Sequence, residues 1–206
     1  MNRAVVLALV ATLLAMVVVG CSSSGQQQDT PGPTVPTGAT EIPGGPVQEV
    51  PDPASAVIPT SQQQAQDTLV GYLQRTVDAL PAGTALDGSR YGPNTRAVYC
   101  EDNPADTTAP VHVEDWRDMR PPPATDTATL VAQTGELWRQ WGWDVIERDG
   151  FPTPNRFGYA PDGYVLQIKA RDDLTQPPSV IGLSPCFPGD LQVEGMPRPP
   201  LIERSG

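Results

Sequence analysis

Few residues in this 206-residue chain are of types that do chemistry, and they are widely spaced. There is one histidine, His112, and there are three cysteines, Cys21, Cys100 and Cys186. A Ser-His-Asp apparatus would have to use His112. The stretch "GLSPC" at 182–186 comes near the nucleophile elbow G-x-S-x-G, but Cys186 stands in place of the last glycine and no strand-turn-helix pattern surrounds Ser184. Acid pairs at Glu101-Asp102, Glu114-Asp115 and Asp172-Asp173 offer general acid–base or calcium chemistry. No D-x-[DN]-x-[DN]-G loop accompanies them, and adjacent acids in so acidic a chain are ordinarily solvated. Neither G-x-x-x-x-G-K-[ST] nor G-x-G-x-x-G occurs, so no cofactor is expected. No metal is expected either, because a zinc site wants four ligands. The aromatic residues are the stronger lead. Trp138 and Trp141 share helical spacing and read as core, whereas Trp116 in "EDWRDMR" sits among charges. "FPTPNRFGY" adds Phe151, Phe157 and Tyr159, so the expected binding residues are these four, on two loops that together line a groove.

Cys21 stands in a different context. The chain opens Met1-Asn2-Arg3, runs through "AVVLALVATLLAMVVVG", and switches at Cys21 to "SSSG". A short basic region followed by an apolar one is the pattern of an export signal, here residues 1–20. "VVGC" at its end resembles the bacterial lipobox. That resemblance implies a Cys21 thiol alkylated by diacylglycerol and a signal cut so that Cys21 becomes the first residue. The chain is then held at the cell membrane by lipid, facing the periplasm or the outside. Cleavage removes one of the 13 basic residues and none of the 24 acids, taking the formal charge from −11 to −12. Nucleic acids and anionic headgroups both call for basic patches, so nucleic acid is not an expected partner and the lipid itself must supply the anchor.

Residues 21–59 comprise the modified cysteine and a tether. This stretch shows neither helical nor strand period, and eight prolines between Pro31 and Pro59 bias it toward extended backbone. Its reach runs from roughly 35 Å as a coil to about 120 Å as polyproline II. From Thr60 the pattern changes. Leu69, Val70, Leu73, Val77 and Leu80 form one face of a helix predicted over 61–80, stopped by Pro81. A second helix opens at Thr125 or Asp126 and ends at Gly142. Short strands are expected at Ala97–Tyr99, at "WDVIERDG", at "YVLQIKAR" and at "SVIGLSPCF", with a minor edge strand at Val111–Val113 and loops between. The expected fold is α+β: a two-layer sandwich with a mainly antiparallel sheet of about four strands covered by two helices, spanning 60–190. Residues 191–206 read as a Pro-rich, frayed tail.

With Cys21 consumed by lipid, Cys100 and Cys186 remain, an even number in an oxidising compartment, and they read as a disulfide. A redox pair would favour C-x-x-C. The bridge would close a loop of about 86 residues, worth roughly 4 to 5 kcal/mol by chain entropy. "VVGC", the tether and a compact domain with one cysteine after the first helix and another in the last strand together resemble the small proline-tethered lipoproteins of mycobacteria and related actinobacteria, of the LppA type. The resemblance implies location and fold, and transfers no catalytic residue. The sequence thus points to a non-enzymatic envelope lipoprotein that binds or scaffolds an envelope protein, peptide or glycan. The rival readings are a hydrolase of wall polymer using an acidic pair and a purely structural assembly partner.

Overall fold

The computed structural model describes residues 48–173 and 175–206. Cys21, the stretch expected to be an export signal and most of the expected tether lie outside them. Two helices form where the periodicity places them. Helix α1 (Gln62–Ala79) starts at Ser61, whose hydroxyl accepts the Gln64 N–H at 3.1 Å, and stops at Leu80 before Pro81. Helix α2 (Thr127–Gln140) starts at Asp126, whose carboxylate accepts the Thr129 N–H at 2.9 Å. Ala65, Leu69, Leu73 and Val77 of α1 recur every four residues and are buried, as are Leu130, Val131 and Trp138 of α2.

Both helices pack on one eight-stranded sheet in which every pairing is antiparallel. Its strands are β1 (Ala85–Asp87), β2 (Arg96–Tyr99), β3 (Val111–Arg120), β4 (Asp144–Ile146), β5 (Asn155–Tyr159), β6 (Val165–Lys169), β7 (Ser179–Leu183) and β8 (Leu201–Ile202). The order is β4-β5-β6-β7-β3-β1-β8, with β2 pairing β3 as well. The α+β class and the mainly antiparallel sheet stand; the count of about four strands does not.

The largest correction is β3. A three-residue edge strand inside a loop was expected, yet β3 is ten residues long and central, paired with β7 along one edge and with β2 and β1 along the other. The alternation was hidden because two of its five inward positions are charged: Val111, Val113, Asp115, Arg117 and Met119 all point to the helices and are buried. Arg117 Nη2 donates to Asp115 at 2.8 Å, and Arg198 Nη1 donates to the other Asp115 oxygen. Ion pairing through the shared Asp115 carboxylate is what lets these groups occupy core positions.

The second correction is β5, which lies inside the expected loop 151–163. Prolines 152 and 154 suggested irregular chain there, but Asn155 closes that turn by accepting the Arg148 N–H at 2.9 Å and donating to the Arg148 and Pro152 carbonyls, and the strand starts with it. The third is the C-terminal segment, which is bound and not frayed. Gln62 accepts the Val193 N–H, Gln66 donates to the Pro197 carbonyl, Gln74 donates to the Glu203 carbonyl, and β8 pairs β1. The final residues of the stretch read as tether are also held, since Ser55 and Val57 donate their N–H groups to the Pro161 and Asp162 carbonyls.

Candidate functional site

Strand alternation sends His112, Glu114, Trp116, Asp118 and Arg120 of β3 away from the helices. Register places them on the same face as Ile181 and Ser179 of β7, Gln167 and Lys169 of β6, and Phe157 and Asn155 of β5. Among the described residues, both α-helices lie on the opposite face, so this side of the sheet is open apart from its own side chains and short loops.

A row of rings and cations crosses it. Trp116 is half-buried; its indole Nε1 donates to Glu114 at 3.1 Å and its ring lies 6.1 Å from that of Tyr91. Lys169 follows, its ammonium 6.0 Å from the Trp116 ring and 5.0 Å from the Phe151 ring. Phe151 packs on Phe157 at 4.9 Å, and the Arg148 guanidinium lies 5.2 Å and 5.1 Å from these two rings. Cation–π attraction holds such an array together. Asp118 gathers Arg90 at 3.0 Å, Arg171 at 2.5 Å and the Tyr91 hydroxyl at 2.9 Å, so two cations there share one carboxylate. Lys169 and Arg148 have no carboxylate within ion-pair distance among the described residues. Burial against the rings pushes the Lys169 ammonium below its ordinary value. An acidic chain therefore carries a locally cationic face. Beside Trp116 opens a cleft of about 280 Å³, lined by Tyr91, Asn94, Arg96, Glu114, Trp116 and Arg198.

The four expected binding residues are thus only partly together. Trp116 and Phe151 reach the open face, but from a strand and a turn. Phe157 is fully buried, so it supports Phe151 and cannot itself meet a ligand. Tyr159 is buried too, with a hydroxyl that has no hydrogen-bond partner among the described residues; it lines a separate cavity of about 320 Å³ with Val50, Pro51, Asp144 and Tyr164. Burial pushes its phenol upward. The expected groove between two aromatic loops does not form, because β3 and β5 turn both segments into sheet. Sequence reasoning missed Lys169 and Arg148. The only lysine of the chain, placed on the outward side of the clearest strand, was the available signal for the first.

The acid pairs separate. Glu114 and Asp115 are neighbours on a strand and point to opposite faces, Glu114 toward His112 and Asp115 into the core. Glu101, Asp102, Asp172 and Asp173 are exposed. Ser184 donates to the Pro185 carbonyl and accepts the Val113 N–H. Cys100 and Cys186 form a disulfide with Cα atoms 6.4 Å apart. No protein-family model, curated protein or solved structure matches this chain.

Proposed function

We propose that this chain is an exported lipoprotein of the cell envelope, anchored through Cys21, whose domain binds or scaffolds an envelope partner through the open sheet face. The resemblance to proline-tethered mycobacterial lipoproteins is part of this reading, as is the cell-membrane location. The observation that carries it is the row Trp116–Lys169–Phe151 with Arg148: rings half-covered by the protein, next to cations that have no carboxylate at ion-pair distance among the described residues. Flat rings stack on sugars or peptide groups, and an unpaired ammonium among rings favours a ligand carrying carboxylates or phosphates. The ligand class is accordingly an acidic envelope peptide or glycan. The long-range field of a chain at −11 opposes such a ligand, so the face must capture it by short-range contact and weak steering.

The test is titration of the full chain with soluble wall-glycan fragments and with acidic peptides, followed by calorimetry. Trp116→Ala and Lys169→Met should each weaken capture by about tenfold or more, the usual cost of a central anchor, while leaving the circular dichroism spectrum unchanged. Unchanged affinity in both variants contradicts the reading. Its membrane arm is checked separately: Cys21→Ser should move the protein from the detergent phase to the aqueous phase.

A further inference from the structure

The disulfide does not sit among apolar groups alone. Cys100 Sγ lies 3.6 Å from His112 Nδ1, and the other ring nitrogen, Nε2, faces Glu114 Oε1 at 3.5 Å. Glu114 accepts the Trp116 indole N–H with its second oxygen. His112, Glu114 and Trp116 follow one another at two-residue steps on β3, so the alternation of a single strand lines up imidazole, carboxylate and indole behind the sulfur. His112 Nε2 is buried and has no hydrogen-bond partner among the described residues, the carboxylate standing just beyond reach. The His112 ring facing it is the main reason the Glu114 carboxyl lies below its ordinary value. Glu114 is therefore ionised near neutral pH and sets a negative charge beside the imidazole. Of the two residues Cys186 is the exposed one, while Cys100 is half-buried at the end of β2.

This asymmetry has a chemical consequence. Exchange is fastest when the attacked sulfur is accessible and the departing thiolate is stabilised, and a thiolate that accepts an imidazole N–H is stabilised by that bond. We propose that Cys100–Cys186 is a thiol–disulfide exchange centre: an external thiolate attacks Cys186, and Cys100 leaves as a thiolate stabilised by His112. In the first step the sulfur lone pair of the external thiolate forms the new S–S bond to Cys186, and the Cys100–Cys186 bond pair departs on Cys100. The proton given up by the external thiol is matched by the one His112 shares with Cys100. A second external thiolate then attacks the external sulfur of the mixed disulfide and releases Cys186. Two external thiols become one external disulfide, and the protein disulfide becomes two thiols. The oxidant is the protein and the reductant is a thiol. This activity goes beyond ligand binding at the open face and does not depend on it.

The experiment treats the folded full chain with 2-mercaptoethanol at neutral pH, quenches with acid, alkylates free thiols and maps both modifications by peptide mass. The expected result is a mercaptoethanol adduct on Cys186 and an alkylated Cys100, formed without unfolding. His112→Ala should slow adduct formation on the order of tenfold, as the departing thiolate loses its hydrogen-bond donor. A disulfide that reacts only after denaturation, or an adduct on Cys100, overturns the proposal. So does a folded His112→Ala chain that reacts at the wild-type rate. If His112→Ala does not fold, the adduct position in the unsubstituted chain still decides.

Discussion

At the scale of single residues, one guanidinium ties the C-terminal segment to the central strand. Arg198 lies in a segment of prolines and glycines, yet it is buried and donates to Asp115, to the Trp116 carbonyl at 3.0 Å and to the Gly88 and Gly92 carbonyls. It supplies the second Asp115 oxygen with a donor and so ties the C-terminal segment to the inward side of β3. Truncation leaves Asp115 with one partner and three carbonyls short of a donor, so Arg198→Ala should cost about 3 to 5 kcal/mol, the range for breaking a buried pair. Urea unfolding measures it, and a loss under about 1 kcal/mol would mean that the triad is not holding the C-terminal segment. Trp116 stood out in the sequence for its charged neighbours, and it does reach the open face. Phe157 stood out only as one of several aromatics near prolines, and it is core. Nothing in a local window separates these two cases, because what decides them is the strand register.

Among the elements, both helices were legible because each carries a cap, an apolar stripe of correct period and a stop. Strands β6 and β7 were legible because their apolar residues alternate or cluster between turn signals. By contrast β1 and β8 are three and two residues long and have no signal of their own; each exists because a neighbour supplies hydrogen bonds. Long-range pairing also explains β3, whose pattern makes sense only once Arg198 is known to arrive from 83 residues away. The helix layer sits close to the sheet at glycines. At Gly158 of β5 a Cβ would lie 2.7 Å from Trp138 Cε3 and 3.1 Å from Trp143 Cε3, both rigid rings of buried residues. Gly158→Ala should therefore push α2 off the sheet and cost about 1 to 3 kcal/mol, the usual penalty for overpacking. Thermal unfolding of the variant should shift down by several degrees, and an unchanged midpoint would show that the rings move aside freely.

Viewed as a whole molecule, the described domain closes on itself through its C-terminal residues, and this closure depends on ionised carboxylates. Asp78 near the end of α1 accepts the Ser205 N–H at 2.7 Å and a Gln74 side-chain N–H at 3.0 Å, and these bonds, the Ser205 backbone foremost, hold its carboxyl below the ordinary 3.8. The Thr129 backbone N–H does the same for Asp126 at the start of α2. Glu114 is lowered from 4.5 by His112. A carboxyl with a depressed folded-state pKa adds stability that is complete above its unfolded value and is lost as pH falls through the folded one. All three shifts have the same sign, so their loss is concentrated below about pH 4. Net charge acts the other way at first: the repulsion within a chain at −11 fades as pH approaches the sequence pI of ≈ 4.3, and grows again with positive sign below it. Between neutrality and pH 4.3 relief of repulsion offsets the first protonations. Below that both effects destabilise. The urea midpoint should accordingly stay nearly level from pH 7 to about pH 4.5 and then drop steeply toward pH 3. Asp78→Asn removes one of the titrating contacts, so its midpoint should begin lower at pH 7 and fall less between pH 4.5 and pH 3. Parallel curves for the two proteins would show that Asp78 does not carry the closure, and a wild-type midpoint that stays level to pH 3 would show that these carboxylates contribute nothing to the fold.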